Sequence, residues 1–123
     1  MLERMVIFTN NPMVRDALSQ RDACKVHYAP VSYRQILCLA RDAVHQGHKL
    51  LTHPLSGSVK PGETPYKSVA VSQEKGLLDL SSLSLIENSI VTCDKFPVRS
   101  KSKDPSLQED FQLVDLSLIM SIF

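Results

Sequence analysis

The 123-residue sequence has no tryptophan, and only three tyrosines and four phenylalanines. That leaves little for the aromatic platform on which single-stranded nucleic acid stacks. It also lacks a charge excess: 14 lysines and arginines stand against 13 aspartates and glutamates, a formal net charge of +1. A nucleic-acid footprint needs clustered Lys and Arg on one face, so that class of partner is excluded. Cys24, Cys38 and Cys93 are isolated and odd in number, without a Cys-x-x-Cys pair. They read as reduced, partly buried thiols in a cytoplasmic protein, not as a metal or redox site. Long apolar runs are missing too. The start, MLERMVIFTNN, is charged within its first four residues and lacks the apolar region of a signal peptide. The ending, LVDLSLIMSIF, is interrupted by Asp115 and falls short of the roughly 20 apolar residues that a membrane span requires. The motifs GxxxxGK[ST], GxGxxG and GxSxG are all absent, which removes the commonest phosphate-loop, dinucleotide and nucleophile-elbow chemistries.

What remains is ordinary globular material, 43% apolar and 22% charged. The length fits one domain, residues 1–123, able to bury a core without disulfide or metal. Met5-Val6-Ile7-Phe8 is a continuous apolar run that suits a strand covered on both faces. Asn11 followed by Pro12 predicts a capped helix from Pro12 to Ser19 with Val14, Ala17 and Leu18 inward. Lys25-Val26-His27-Tyr28 predicts a second strand. Ser32 caps a helix through Gln46, stopped by Gly47, with Ile36, Leu37, Ala40 and Val44 on one stripe. Lys49-Leu50-Leu51-Thr52 predicts a third strand and Ser68–Ser72 a fourth. The latter is antiparallel, because no helix lies between to carry a parallel crossover. Ser84-x-x-Glu87 matches a capping box and predicts a helix start there. Residues 96–104, with Pro97, Arg99, Lys101 and Lys103, read as a solvated connector. Asp104-Pro105 opens a last helix, with Leu107, Phe111, Val114 and Leu118 as its inner stripe. The expected fold is a three-layer α/β domain. Its short, mainly parallel sheet has about four strands, the last one antiparallel, flanked by about four helices.

His45, His48 and His53 are close in sequence but not a predicted metal site. His48 and His53 bracket one strand, and five extended residues separate them by roughly 16 Å. Ligands of one zinc all lie about 2 Å from it. His45 and His48 read as helix C-terminal residues that meet orphan carbonyls. His53 sits at the carboxyl end of a strand, where open α/β sheets place ligands. If the first and third strands are neighbours, Thr9, Asn10 and Asn11 face His53 across a crevice, although Asn11 also serves as a cap.

The stretch LTHPLSGSVKPGETPYKS, residues 51–68, completes that edge. Ser56, Gly57 and Ser58 allow close backbone approach. Lys60 and Lys67 supply cations, and Thr64, Tyr66 and Ser68 add hydroxyls. Pro54, Pro61 and Pro65 limit the loop's freedom before folding, so ordering it around an anion costs little. The predicted ligand-binding set is therefore Thr9, Asn10, Asn11, His53, Ser56, Gly57, Ser58, Lys60, Thr64, Tyr66, Lys67 and Ser68. No catalytic residue, metal or cofactor is assigned. A minority reading makes His53 the base of a small transferase or hydrolase.

Three segments carry a family resemblance: Thr9-Asn10-Asn11-Pro12, the run from His45 to Ser68, and Ile86-Glu87-x-Ser89-Ile90. Together they resemble the GrdX family, whose members are encoded beside the glycine, sarcosine and betaine reductase components of amino-acid-fermenting anaerobes. The resemblance implies a cytoplasmic accessory protein of that system, with no family catalytic residues to carry across. The function expected is a non-catalytic accessory or small-anion-binding protein. The alternative is a protein-interaction module that uses the last helix or the loop against a reductase subunit or a second copy of the chain.

Overall fold

The structure is a computed structural model that describes residues 4–55, 64–96 and 104–123. The elements are β1 (Met5–Thr9), α1 (Pro12–Leu18), β2 (Cys24–Tyr28), α2 (Tyr33–His45), β3 (Ser68–Ser72), α3 (Leu80–Asp94) and α4 (Pro105–Met120). Of the predicted connector over residues 96–104, residues 97–103 lie outside the described residues.

The sheet has three strands in the order β2-β1-β3. β1 pairs in parallel with β2 and antiparallel with β3, in a register that sets Thr9 against Tyr28 and Ser68. The mainly parallel, four-stranded sheet expected from sequence is thus corrected. Residues 49–52 do reach the outer edge of β3, but only as an isolated antiparallel bridge, Leu50 to Val71. Side-chain hydroxyls explain the shortfall, since they compete with a backbone ladder. Ser72 Oγ accepts the Lys49 N–H, Ser82 Oγ accepts the Leu50 N–H, and Thr52 Oγ1 accepts the Ala70 N–H. This segment also lies beside β3 rather than β1, so the expected adjacency of the first and third predicted strands does not hold.

Strand alternation splits the core between two faces. Ile7 and Ala70 pack with Val14, Leu18 and Ile119, under α1 and α4. Val69 packs with Ile36, Leu37, Ala40, Val44, Ile86 and Ile90, under α2 and α3. The result is the three-layer arrangement that the sequence predicts. Helix ends follow the chemistry of their caps. Asn11 Oδ1 accepts the Met13 N–H, and Ser32 with Gln35 forms a full capping box. Gly47 ends α2 at a φ of 105°, and a Cβ there would strike the Gly76 carbonyl. The helix predicted to start at Ser84 begins earlier instead. Asp79 accepts both the N–H and the hydroxyl of Ser82 and caps the helix at Leu80.

α4 departs most from its periodicity. Its predicted stripe is not its buried face: Leu107 is 38% and Val114 44% exposed, with Phe111 and Leu118 half-buried. The buried residues of this helix are Asp115 and Ile119. Among the described residues no helix is long and apolar enough to cross a membrane.

Candidate functional site

The carboxyl end of β1 and the amino end of β3 meet at Thr9 and Ser68, both buried. Burying hydroxyls without partners is costly, and here each is satisfied by the other and by α4. Ser68 Oγ donates to Asp115 Oδ2 at 2.7 Å. That uses its one proton, so in the Thr9–Ser68 contact of 2.7 Å the Thr9 hydroxyl is the donor. Thr9 Oγ1 in turn accepts the Asn11 N–H at 3.0 Å. Asn11 Nδ2 donates to Asp115 Oδ2 at 3.0 Å and to the Gln112 carbonyl at 2.9 Å. A directed chain of hydrogen bonds thus runs from the start of α1 through both strands to one carboxylate on α4.

Asn10 ties together the segments beside this chain. Its Oδ1 accepts the Lys67 N–H at 2.8 Å, and its Nδ2 donates to the Val31 and Pro65 carbonyls, each at 2.8 Å. Both asparagines are therefore committed to protein partners, Asn11 to its cap and Asp115, Asn10 to the strand ends.

Above this network lies a cleft of about 20 Å³, the room of a water molecule, open to solvent. Tyr33, Thr64, Tyr66 and Lys67 line one side, and Phe111, Val114, Asp115 and Leu118 of α4 the other. Tyr66 Oη accepts from Gln112 Nε2 at 2.9 Å, and Thr64 Oγ1 accepts the Tyr66 N–H at 3.2 Å. Lys67 is only 3% exposed. Its Nζ lies 5.7 Å from the centroid of the Tyr33 ring and makes no ion pair with any described carboxylate.

Burial disfavours charge at both ionisable groups of the cleft. It pulls the Lys67 ammonium down to about 8, against the Asp115 charge, which acts the other way. Burial pushes the Asp115 carboxyl above its ordinary range, although hydrogen bonds from Asn11 and Ser68 and the Lys67 charge oppose it. Burial, then the charges of Cys93 and Asp115, also raises the Tyr33 phenol.

Of the residues predicted for binding, the fold gathers Thr9, Asn10, Asn11, Thr64, Tyr66, Lys67 and Ser68 into this corner. His53 stands apart. It emerges at the same edge, but beyond β3, with its side chain exposed and Nδ1 accepting the Leu55 N–H at 3.0 Å. Ser56, Gly57, Ser58 and Lys60 lie outside the described residues. Asp115, Gln112 and Tyr33 were not legible as site residues. The one signal was a lone aspartate breaking the apolar ending of the chain.

The other histidines serve structural contacts. His45 Nε2 lies 3.4 Å from Glu87, and His48 Nδ1 meets the Ser72 carbonyl of β3 at 2.6 Å rather than a helix end. Among the described residues no group of His, Cys, Asp and Glu could hold a metal ion. A larger groove of about 540 Å³ crosses the face shared by β2 and α2, beside the stacked Phe8 and His27 rings. Its charged residues Lys25, Asp42 and Lys75 are all exposed, unlike those of the cleft.

No curated protein matches this chain, and no solved structure does. One family model matches, that of the GrdX-like protein, over residues 6–123, nearly the whole length. On that match the chain belongs to the GrdX-like protein family.

Proposed function

We propose that this chain is a cytoplasmic accessory protein of the glycine, sarcosine and betaine reductase system that binds a small anion at the solvent-open mouth of the cleft by Lys67. The observation that carries the reading is a buried ammonium beside an open cleft, with no ion pair to any described carboxylate. Burial makes the cation costly, and an entering anion offsets that cost. Family membership supports the setting in anaerobic amino-acid reduction. The Thr9–Ser68–Asp115 network holds the strand ends, and the residue 51–68 loop carries Lys60 and His53 as the sequence-based extension of the site.

Thermal-shift and calorimetric titrations with acetate and with phosphate test this. Saturable stabilisation that disappears in Lys67→Met supports the reading, and no response of the unsubstituted chain to either anion refutes it. Lys60→Ala and His53→Ala then report whether the site extends along the loop.

A second reading has its own observation. Leu113 of α4 is 49% exposed beside the exposed Leu107 and Val114, an apolar surface suited to a reductase subunit or a second copy of the chain. Light scattering checks the second copy: a dimer that Val114→Asp dissociates favours it, and a monomer at all concentrations removes it.

A further inference from the structure

Among the described lysines, Lys25, Lys49, Lys75 and Lys95 are exposed, whereas Lys67 is buried at the wall of a cleft. The cleft is apolar on the α4 side, where Phe111, Val114 and Leu118 stand, and aromatic beneath the amine, where Tyr33 lies. An amine in such surroundings loses its hydration and the stabilisation of its proton, which is how lysine becomes a nucleophile toward carbonyl carbon. Asp115 shares the cleft and couples electrically to Lys67 without a direct ion pair that would hold the amine as a salt. Its carboxylate is fixed by Ser68 and Asn11, so it provides a stationary countercharge for a cation formed at the Lys67 nitrogen.

We infer that Lys67 is a nucleophilic amine that captures short-chain aldehydes at the solvent-open mouth of this water-sized cleft, as a reversible imine. The Lys67 nitrogen lone pair forms a bond to the carbonyl carbon, and an amine proton passes to the oxygen to give a carbinolamine. The C–O bond then breaks as a proton from solvent joins the departing hydroxyl, the oxygen leaves as water, and the nitrogen lone pair closes a C=N bond that keeps the remaining N–H as an iminium beside Asp115. No oxidant or reductant is consumed, and hydrolysis reverses every step. The depressed ammonium proton affinity agrees with this placement. The inference shares the cleft with the anion reading but needs the amine, where anion binding needs the ammonium. The other ionisable groups that line the cleft are Asp115 across from Lys67 and Tyr33 and Tyr66 on its own side.

The test is reductive trapping on the whole chain. The protein is exposed briefly to propionaldehyde with sodium cyanoborohydride at pH 8.5, and alkylated lysines are mapped by peptide mass spectrometry. Cyanoborohydride fixes the imine as a secondary amine, so each lysine's rate is read in one sample. Lys67 should be alkylated about tenfold faster than the exposed lysines. Unfolding the chain in urea should abolish that preference. Alkylation of Lys67 at or below the rate of the exposed lysines overturns the inference, as does a preference that survives urea. Because mapping uses the unsubstituted protein, no variant has to fold. Acetate adds a separation: if the anion reading holds it slows Lys67 labelling, and if only that reading fails labelling proceeds unchanged.

Discussion

α2 and α4 present similar apolar stripes in sequence, yet the fold uses them in opposite ways. In α2 the stripe Ile36, Leu37, Ala40 and Val44 is fully buried against β3 and α3. In α4 the stripe Leu107, Phe111, Val114 and Leu118 faces the cleft and solvent, while Asp115 is turned inward. Hydrophobic burial alone would rotate α4 the other way. What opposes it is the polar end of the sheet, where Ser68, which itself accepts from Thr9, and Asn11 both donate to Asp115. One helix is placed by the core, and the other is placed by a buried polar network that leaves apolar surface exposed around Lys67.

Substitutions can break this contrast, beginning with the largest effect. Leu37→Ala, in the α2 stripe, removes a fully buried side chain and should cost about 2–5 kcal/mol in urea unfolding. A loss below 1 kcal/mol would mean that α2 is not held as described.

The second effect is read in pH. The Lys67 ammonium falls from 10.5 to about 8 on folding, so the unfolded chain holds a proton that the folded chain has released between those values. Stability should therefore rise with pH through that window and be lost as pH falls through about 8, an effect on the order of 3 kcal/mol. In Lys67→Met the slope should be absent. Asp115 carries the opposite sign. Its folded carboxyl is shifted upward, so its contribution is present at low pH and lost as pH rises through the raised value. Asp115→Asn should flatten that decline.

Third, Asp115→Ala leaves the Ser68 hydroxyl and the Asn11 amide without their shared acceptor and should cost about 1–3 kcal/mol. Asp115→Asn keeps a carbonyl acceptor and should cost less. Equal losses in both would indicate that charge, not hydrogen bonding, holds α4. The smallest effect belongs to the α4 stripe itself. Val114→Ser, at an exposed position, should change stability by no more than about 0.5 kcal/mol. A loss like that of Leu37→Ala would restore the stripe to the core and contradict the observed rotation.

How much of this was legible in the sequence follows the same divide. β1, β2, β3, α1 and α2 lie close to their predicted limits, because local signals set them: Asn11-Pro12, the Ser32 cap and Gly47 act within a turn of where they stand. The antiparallel entry of β3 was also readable, since no helical pattern separates it in sequence from the Leu50 segment. The insertion of β3 between β1 and the Leu50 segment was not, because it rests on pairings such as Thr9 with Ser68, 59 residues apart. The N-terminus of α3 was missed because Asp79 outbid a capping-box pattern at Ser84. At the site, Thr9, Asn10 and Asn11 were named from their place at a strand edge, and Lys67 and Ser68 from the donors of the loop. Asp115 was not, since apolar periodicity marks only the residues that water expels and is silent about a carboxylate that other polar groups draw inward.

The central claim is that α4 and the strand ends enclose Lys67 as a desolvated amine at a ligand cleft. The most direct measurement follows the Lys67 side chain by NMR in lysine-labelled protein, as pH is raised with and without acetate. The account predicts a midpoint near 8 that moves upward when acetate is added. A midpoint at the ordinary lysine value of 10.5, unmoved by acetate, would contradict it.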